Sequence, residues 1–337
     1  MNNRGHFPRL LITGATGAVG PIVVNAFSAA GYSIRTLSLD PPPAGLWPEN
    51  VEIRIGDITN DSAVEAAMQG VDAVVHLAAL LHIVNPPPAL QGKYERINVG
   101  GTSAVVSAAI EAGVKRIVLF STIAVYGPSA GRILTEETPP HPDTFYARTK
   151  LDAEKIVLEA KGTDGVKLGT VLRLGAVYGS RIKGNYERLT RALARHLFIP
   201  IGSGLNRRTL IYDKDVARAA VLAVSSSAAA GRVFNVTDGQ YHTLNEIIEA
   251  ICLALGRRPP RFALPAALMH RIAGYVEKGG QAAGLKLPAL RLMIDKYNED
   301  VAVTGDLIRK ELGFYPCYDL QTGWQETICE MGLGKRK

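Results

Sequence analysis

The chain is 337 residues long, 47% apolar and 20% charged, with a formal net charge of +7. That length is enough for a full domain and a smaller second lobe, and the composition is that of an ordinary globular protein. No apolar run reaches bilayer-spanning length and the polar start Met1-Asn2-Asn3-Arg4 has no signal-peptide character, so a cytoplasmic protein without a membrane partner is expected.

Arg9-Leu10-Leu11-Ile12-Thr13 reads as a short buried strand, followed at once by Gly14-Ala15-Thr16-Gly17-Ala18-Val19-Gly20. From Pro21 to Phe27 the chain has helical character, with its proline near the start, where a missing amide costs little. A strand, a glycine turn and a helix N-terminus form a pyrophosphate cradle: the glycines let the backbone approach, and the free amides face the anion. Ser33-Ile34-Arg35-Thr36-Leu37-Ser38-Leu39-Asp40 reads as a second strand ending in a carboxylate. An acid there accepts hydrogen bonds from ribose hydroxyls and repels a 2′-phosphate, so NAD is preferred, while Arg35 keeps NADP open. Pro41-Pro42-Pro43 and Pro86-Pro87-Pro88 fall in loops and stiffen them.

The βα rhythm continues. Val51–Ile55 leads to Gly56-Asp57-Ile58, and Ala73–Leu77 leads to Ala78-Ala79. A helix over Gly101–Ala112 precedes a strand at Arg116–Thr122. Short apolar strands alternating with helices imply a parallel sheet covered on both faces, with its ligand beyond the carboxyl ends of the strands. Gly14, Asp40, Asp57, Ala78, Thr122 and the stretch before Tyr146 all fall at such ends, which argues for one active site.

Tyr146 and Lys150 open a helical stretch and, four apart, project from one face. A cation beside a phenol favours phenolate and lowers its pKa, making the tyrosine a proton-transfer group near neutral pH. The same spacing also fits a solvated helix face.

Part of the positive charge is the terminal Lys335-Arg336-Lys337, read as a disordered tail. Arg181, Lys183, Arg188, Arg191, Arg195, Arg207 and Arg208 cluster in the second half. Aromatics are not interleaved and no recognition motif accompanies them, so no nucleic-acid partner is expected. Attraction of a diphosphate-bearing substrate and simple solvated helix faces both remain open. Cys252, Cys317 and Cys329 are odd in number without paired spacing, which reads as reduced structural thiols rather than disulfides or a metal site.

Thr13-Gly14-x-x-Gly17-x-x-Gly20, Gly56-Asp57-Ile58, His76-Leu77-Ala78-Ala79, Asn98-Val99-x-Gly101-Thr102, Ser121-Thr122-Ile123-Ala124-Val125-Tyr126-Gly127 and Tyr146-x-x-x-Lys150 occur in order. In the second half they are followed by Val171–Gly179, Lys183-Gly184-Asn185, Arg208–Ala217 and Phe234-Asn235-Val236. Over nearly its whole length the chain resembles the extended short-chain dehydrogenase/reductase family, in its NAD-dependent epimerase/dehydratase branch. The resemblance implies an α/β fold: a Rossmann-type doubly wound parallel sheet with a smaller C-terminal α/β substrate lobe. Residues 1–175 would form the NAD-binding domain with the Tyr/Lys helix, and 176–330 mainly the substrate lobe, with some segments returning to the sheet. Cofactor contacts fall on Gly14, Thr16, Gly17, Ala18, Val19, Gly20, Asp40, Asp57, Ile58, Leu77, Ala78, Ala79, Asn98, Tyr146 and Lys150.

The resemblance gives Tyr146 the role of acid/base, Lys150 that of holding ribose hydroxyls, and Thr122 that of orienting the substrate oxygen. Asn185 and Arg208, with Thr122 and Tyr146, would bind a nucleotide-sugar substrate, UDP-linked. His76 and His82 invite acid–base roles, but His76 sits in a strand-end motif and is expected to bond locally. Dehydratases of this branch carry an acid pair after the threonine; Ile123 and Ala124 stand there, so elimination lacks its general acid. A 4-epimerase is favoured, with an NAD(P)H-dependent 4-ketoreductase as alternative and a 3β-hydroxysteroid or dihydroflavonol type as a second. The arginine that sugar epimerases often place before a late Gly-Asp pair is missing, or replaced by Arg291 or Lys296. A nucleotide-sensing binding protein is disfavoured because Thr122, Tyr146 and Lys150 are all present. A homodimer is expected through the helices near 102–112 and 146–160.

Overall fold

The computed structural model describes residues 8–81, 87–282 and 290–334. Met1–Arg4, His82, Pro86 and the tail Lys335–Lys337 lie outside the described residues. In chain order the first half runs β1 (Arg9–Thr13), α1 (Gly20–Ala29), β2 (Ser33–Ser38), β3 (Glu52–Ile55), α2 (Asp61–Met68), β4 (Ala73–His76), α3 (Gln91–Tyr94), α4 (Gly101–Glu111), β5 (Arg116–Thr122) and α5 (Phe145–Glu159). The second half runs β6 (Gly169–Leu174), β7 (Ala176–Tyr178), α6 (Asn185–Ala194), β8 (Arg207–Arg208), β9 (Leu210–Tyr212), α7 (Asp213–Ser225), β10 (Arg232–Val236), β11 (His242–Thr243) and α8 (Leu244–Ala254). It closes with α9 (Ala266–Ala282), α10 (Leu290–Asn298), α11 (Asp306–Leu312) and α12 (Leu320–Glu330).

Seven strands make one parallel sheet in the order β3-β2-β1-β4-β5-β6-β10. The order reverses between β1 and β4, the kind of switch point at which doubly wound sheets take a ligand beyond the strand ends. The central strands are apolar along their length because helices cover both faces. Alternation sends Leu10 and Ile12 to a core with Val23 and Phe27 of α1 and Val216 of α7. Leu11 faces the other core, with Val64 of α2, Val105 of α4 and Val157 of α5. Beyond the sheet, β7–β9 and β8–β11 form two small ladders, and a third core gathers Leu189, Leu210, Ile247, Ile251 and Trp324. This is the doubly wound α/β fold with a smaller C-terminal lobe.

Two boundaries differ from the sequence reading. β2 stops at Ser38, because Gly14 N–H takes Leu37 O and Gly56 N–H takes Ser38 O, after which the chain bends through Leu39-Asp40. The helix expected from Gly101 begins earlier, as α3 joined to α4 by a π-helical turn at Glu95–Gly100 that carries the buried Asn98. Ala108 and Ala109 of α4 are buried against the sheet, in ordinary helix–sheet packing. The three cysteines are free, and no helix among the described residues is long and apolar enough to cross a membrane.

Asp213, at the start of α7, is 1% exposed and fills the space beside Gly179, where a Cβ would lie 2.0 Å from Oδ2. Burial pushes its carboxyl up to about 7; Glu330 adds to the rise while Lys214 opposes it. The folded chain therefore holds this proton more tightly than the unfolded chain does. Stability from this group is full below the ordinary carboxylate pKa near 4 and is lost as pH rises to about 7. Asp213→Asn keeps the shape without the charge. It is expected to flatten the stability–pH curve between about 4 and 7 and to stabilise at pH 8 by up to about 4 kcal/mol. Urea titrations at both ends of that window check it; an unchanged slope would refute the assignment.

Candidate active site

The turn after β1 is built for close approach. Gly14 has φ +69°, and a Cβ there would sit 2.7 Å from the backbone of Ala78. At Gly20 a Cβ would lie 2.0 Å from Ala15 O, so only glycine lets α1 begin against the turn. Val19 precedes α1 without a side-chain cap, which leaves the first-turn amides facing the switch point. Thr16 N–H donates to Ser38 Oγ at 3.3 Å, tying the turn to β2. This cradle fits a dinucleotide pyrophosphate. Asp40 stands exposed just past β2, and Asp57 closes a turn by accepting from Thr59 N–H at 2.8 Å, with Ile58 buried behind it. Arg35 is turned away: Nη1 donates to Ala67 O at 2.8 Å and Gln69 O at 2.6 Å, and Nε pairs with Glu52 at 2.9 Å. It is committed to α2 and β3, so the cation that kept NADP open is not offered to a 2′-phosphate.

A buried hydrogen-bond chain fixes the far wall. Thr102 donates its hydroxyl proton to Asn98 O at 2.6 Å, so the 3.1 Å contact with His76 Nε2 has the imidazole donating. His76 Nδ1 is then the acceptor for Thr13 Oγ1–H at 2.6 Å, and Thr13 Oγ1 accepts from Ala78 N–H at 3.4 Å. Burial and the charge of Lys150 push His76 down to about 3, so it is neutral. It bonds locally, as expected. Asn98 acts as a clamp: Oδ1 accepts from Leu80 N–H at 2.7 Å, while Nδ2 donates to Leu80 O at 3.2 Å and Thr149 Oγ1 at 3.1 Å. It holds the loop carrying Leu77, Ala78 and Ala79 against α5. Both amide protons are committed to that task rather than turned toward a ligand.

Thr122 ends β5 half-buried, and its oxygen accepts from Ala124 N–H at 3.1 Å. The backbone thus orients this hydroxyl, which keeps its own proton for donation. Tyr146 lies in the first turn of α5, capped by Thr144, with its ring centroid 6.3 Å from that of Tyr94. Lys150 is buried one turn on. The expected lowering of the tyrosine pKa is not what this environment gives. Burial pushes the Tyr146 phenol above its usual range, with Tyr94 adding to the rise, and pushes Lys150 down to about 8, against Glu154. Desolvation of both groups outweighs the attraction that their spacing implies.

One turn further, Glu154 continues the same face. It accepts from Ser121 Oγ at 2.5 Å and from Arg173 Nη2 at 2.6 Å, and the guanidinium lies 4.7 Å from the Tyr126 ring centroid. Sequence reading missed this pair, although Glu154 repeats the four-residue spacing of Tyr146 and Lys150.

In the lobe, Arg208 Nη2 donates to Lys296 O at 2.7 Å and Tyr297 O at 2.8 Å. Burial pushes the Tyr186 and Tyr297 phenols up, and the nearby guanidinium opposes that rise without cancelling it. Asn185 is exposed at the start of α6 and accepts from Arg188. Lys183 and Arg191 pair with Glu187, and Arg207 pairs with Asp300. Arg291 pairs with Glu277, and Lys296 with Asp143 and Glu299, so both stand-ins for the missing arginine are engaged within the chain. Asp215 binds Cys317 N–H, Tyr318 N–H and Arg218.

The sequence model of the NAD dependent epimerase/dehydratase family matches residues 10–237. An Escherichia coli O157:H7 N-acetyl-α-D-glucosaminyl-diphospho-ditrans,octacis-undecaprenol 4-epimerase is 27% identical, covering 95% of this chain and 94% of its own. A Mycolicibacterium neoaurum 3-β-hydroxysteroid dehydrogenase is 25% identical over 95% of this chain and 90% of its own. Among solved structures, MoeE5 in complex with UDP-glucose and NAD superposes with a TM-score of 0.76 at 26% identity, covering 96% of this chain and 98% of that one.

Proposed function

The chain belongs to the NAD-dependent epimerase/dehydratase family, and from that premise we propose that it is a nucleotide-sugar 4-epimerase acting on a UDP-linked hexose, N-acetylhexosamine or hexuronate. It is an NAD-dependent enzyme, and the cradle at Gly14–Gly20 with Asp40 would hold the cofactor. The observation that carries the reading is the neighbourhood of Thr122. Buried Ile123 and half-buried Ala124 follow it in a single 3₁₀ turn, so no acid stands there to expel a neighbouring hydroxyl.

Held at that cradle, NAD would supply a hydride acceptor for C4 and, once the 4-keto sugar has turned over in the site, the hydride donor for its opposite face. Tyr146 would take the C4 hydroxyl proton as phenolate, a form reached only when the positive charges of Lys150 and of the bound cofactor offset the desolvation of the phenol, and would give it back on reduction. Thr122 donates to the same oxygen, because its own oxygen is already held by Ala124 N–H. Lys150, charged below about pH 8, favours the phenolate at the moment of transfer, and neutral His76 beside it adds no competing charge. Retention of NAD through both half-reactions suits Asp40 and the absence of an available cation at Arg35.

Incubation with UDP-glucose, UDP-N-acetylglucosamine and UDP-glucuronate without added cofactor, followed by the anomeric proton resonances, tests this. Appearance of the C4 epimer supports it. No conversion, together with turnover of a 4-keto nucleotide sugar on added NADH, would replace it with a 4-ketoreductase.

A further inference from the structure

The face of α9 turned away from the molecule is apolar where a globular surface is ordinarily polar. Leu268, Ile272, Tyr275 and Val276 recur at the spacing of a single helical stripe and are all exposed, Tyr275 to 77%. The opposite side is the packed one: Ala273 is buried, His270 meets Asp295 at 2.8 Å, and Glu277 meets Arg291 at 2.7 Å, joining α9 to α10. Phe262, in the segment leading to α9, is 85% exposed, and Leu292 and Met293 of α10 are exposed as well.

Charge around this surface is one-sided. Residues 256–298 contain eight Lys and Arg against two carboxylates. Lys296 is balanced by Asp143 and Glu299, and Lys286 lies outside the described residues, which leaves Arg257, Arg258, Arg261, Arg271 and Lys278 as the cations near the stripe beyond the Arg291–Glu277 pair. Both carboxylates, Glu277 and Asp295, are already paired inside the hairpin. Arg271 and Lys278 flank the stripe at helical spacing, and Arg257, Arg258 and Arg261 precede it in sequence. A second copy docking here would set surplus positive charge against surplus positive charge. An anionic bilayer offers apolar depth and negative headgroups in the same plane, which is the chemistry an interfacial amphipathic helix fits.

We propose that α9 and α10, with the arginines preceding them, form a peripheral membrane-docking surface that seats the substrate lobe on anionic lipid. The helix lies in the interface and does not span it, in keeping with the lack of any described helix long and apolar enough to cross. The inference does not depend on the sugar assignment, and its test does not read turnover.

The test is flotation of the full chain with phosphatidylcholine vesicles, with and without phosphatidylglycerol. Binding to the anionic vesicles alone, reversed by high salt, is expected. Ile272→Glu with Tyr275→Glu, and separately Arg257→Gln with Arg258→Gln and Arg261→Gln, are each expected to lower partition about tenfold or more. Melting temperature and bound NAD should be unchanged in both. Absence of binding to anionic vesicles would overturn the proposal, as would equal binding by the parent and both variants. A dimer in sedimentation velocity that Ile272→Glu dissolves would assign the face to a second copy instead.

Discussion

Tyr146→Phe is expected to lower turnover by about 10²–10⁴-fold, the scale of a lost acid/base group, while leaving NAD bound. The two parts of that expectation rest on different residues. The cradle is made by the turn after β1 and the uncapped start of α1, and no cradle contact described above depends on the tyrosine hydroxyl. Phenylalanine keeps the ring that stands 6.3 Å from Tyr94, so the first turn of α5 keeps its packing. What is lost is a hydroxyl placed one helical turn from a buried ammonium. The loss therefore belongs in kcat, with KM for the nucleotide sugar nearly unchanged. Steady-state kinetics alongside the absorbance of bound cofactor checks both, and full activity in the variant would remove Tyr146 from the mechanism.

The parts of this site that were legible in sequence are those whose demands are local. A glycine turn between a strand and a helix needs glycine at Gly14 and Gly20 whatever lies elsewhere, and Tyr146 and Lys150 share a face because a helix turns every 3.6 residues. The His76 chain was not legible: Thr13 and His76 meet because they are register partners of β1 and β4, and Thr102 joins them from another helix. Asn98 reads in sequence as a cofactor contact, yet the π-helical turn carrying it leaves its amide clamping Leu80 and Thr149. Spacing also misled on charge. It put a cation near Tyr146 but said nothing of how far that face of α5 is withdrawn from water, and desolvation decides the direction of the pKa.

The largest stability effect is expected at Glu154. It is 1% exposed and Arg173 5%, so neither ion has water to fall back on. Glu154→Gln keeps the shape but leaves the guanidinium buried without its counter-charge, at a cost of about 3–5 kcal/mol. The Tyr126 ring 4.7 Å from the guanidinium recovers only part of that, on the order of 1–2 kcal/mol. Replacing both ions, Glu154→Met with Arg173→Met, removes the uncompensated charge and should restore most of the stability. It does not restore the carboxylate that holds Lys150 up against desolvation. In the double variant Lys150 should therefore lose its proton below about pH 8, and the alkaline fall in turnover should move to lower pH while the fold stands. Urea denaturation and a pH–rate profile on the same two variants separate the effects. Recovered stability with an unmoved alkaline limb would make Glu154 a brace between α5 and the sheet and nothing more; recovered stability with a shifted limb would make it the group that keeps Lys150 charged.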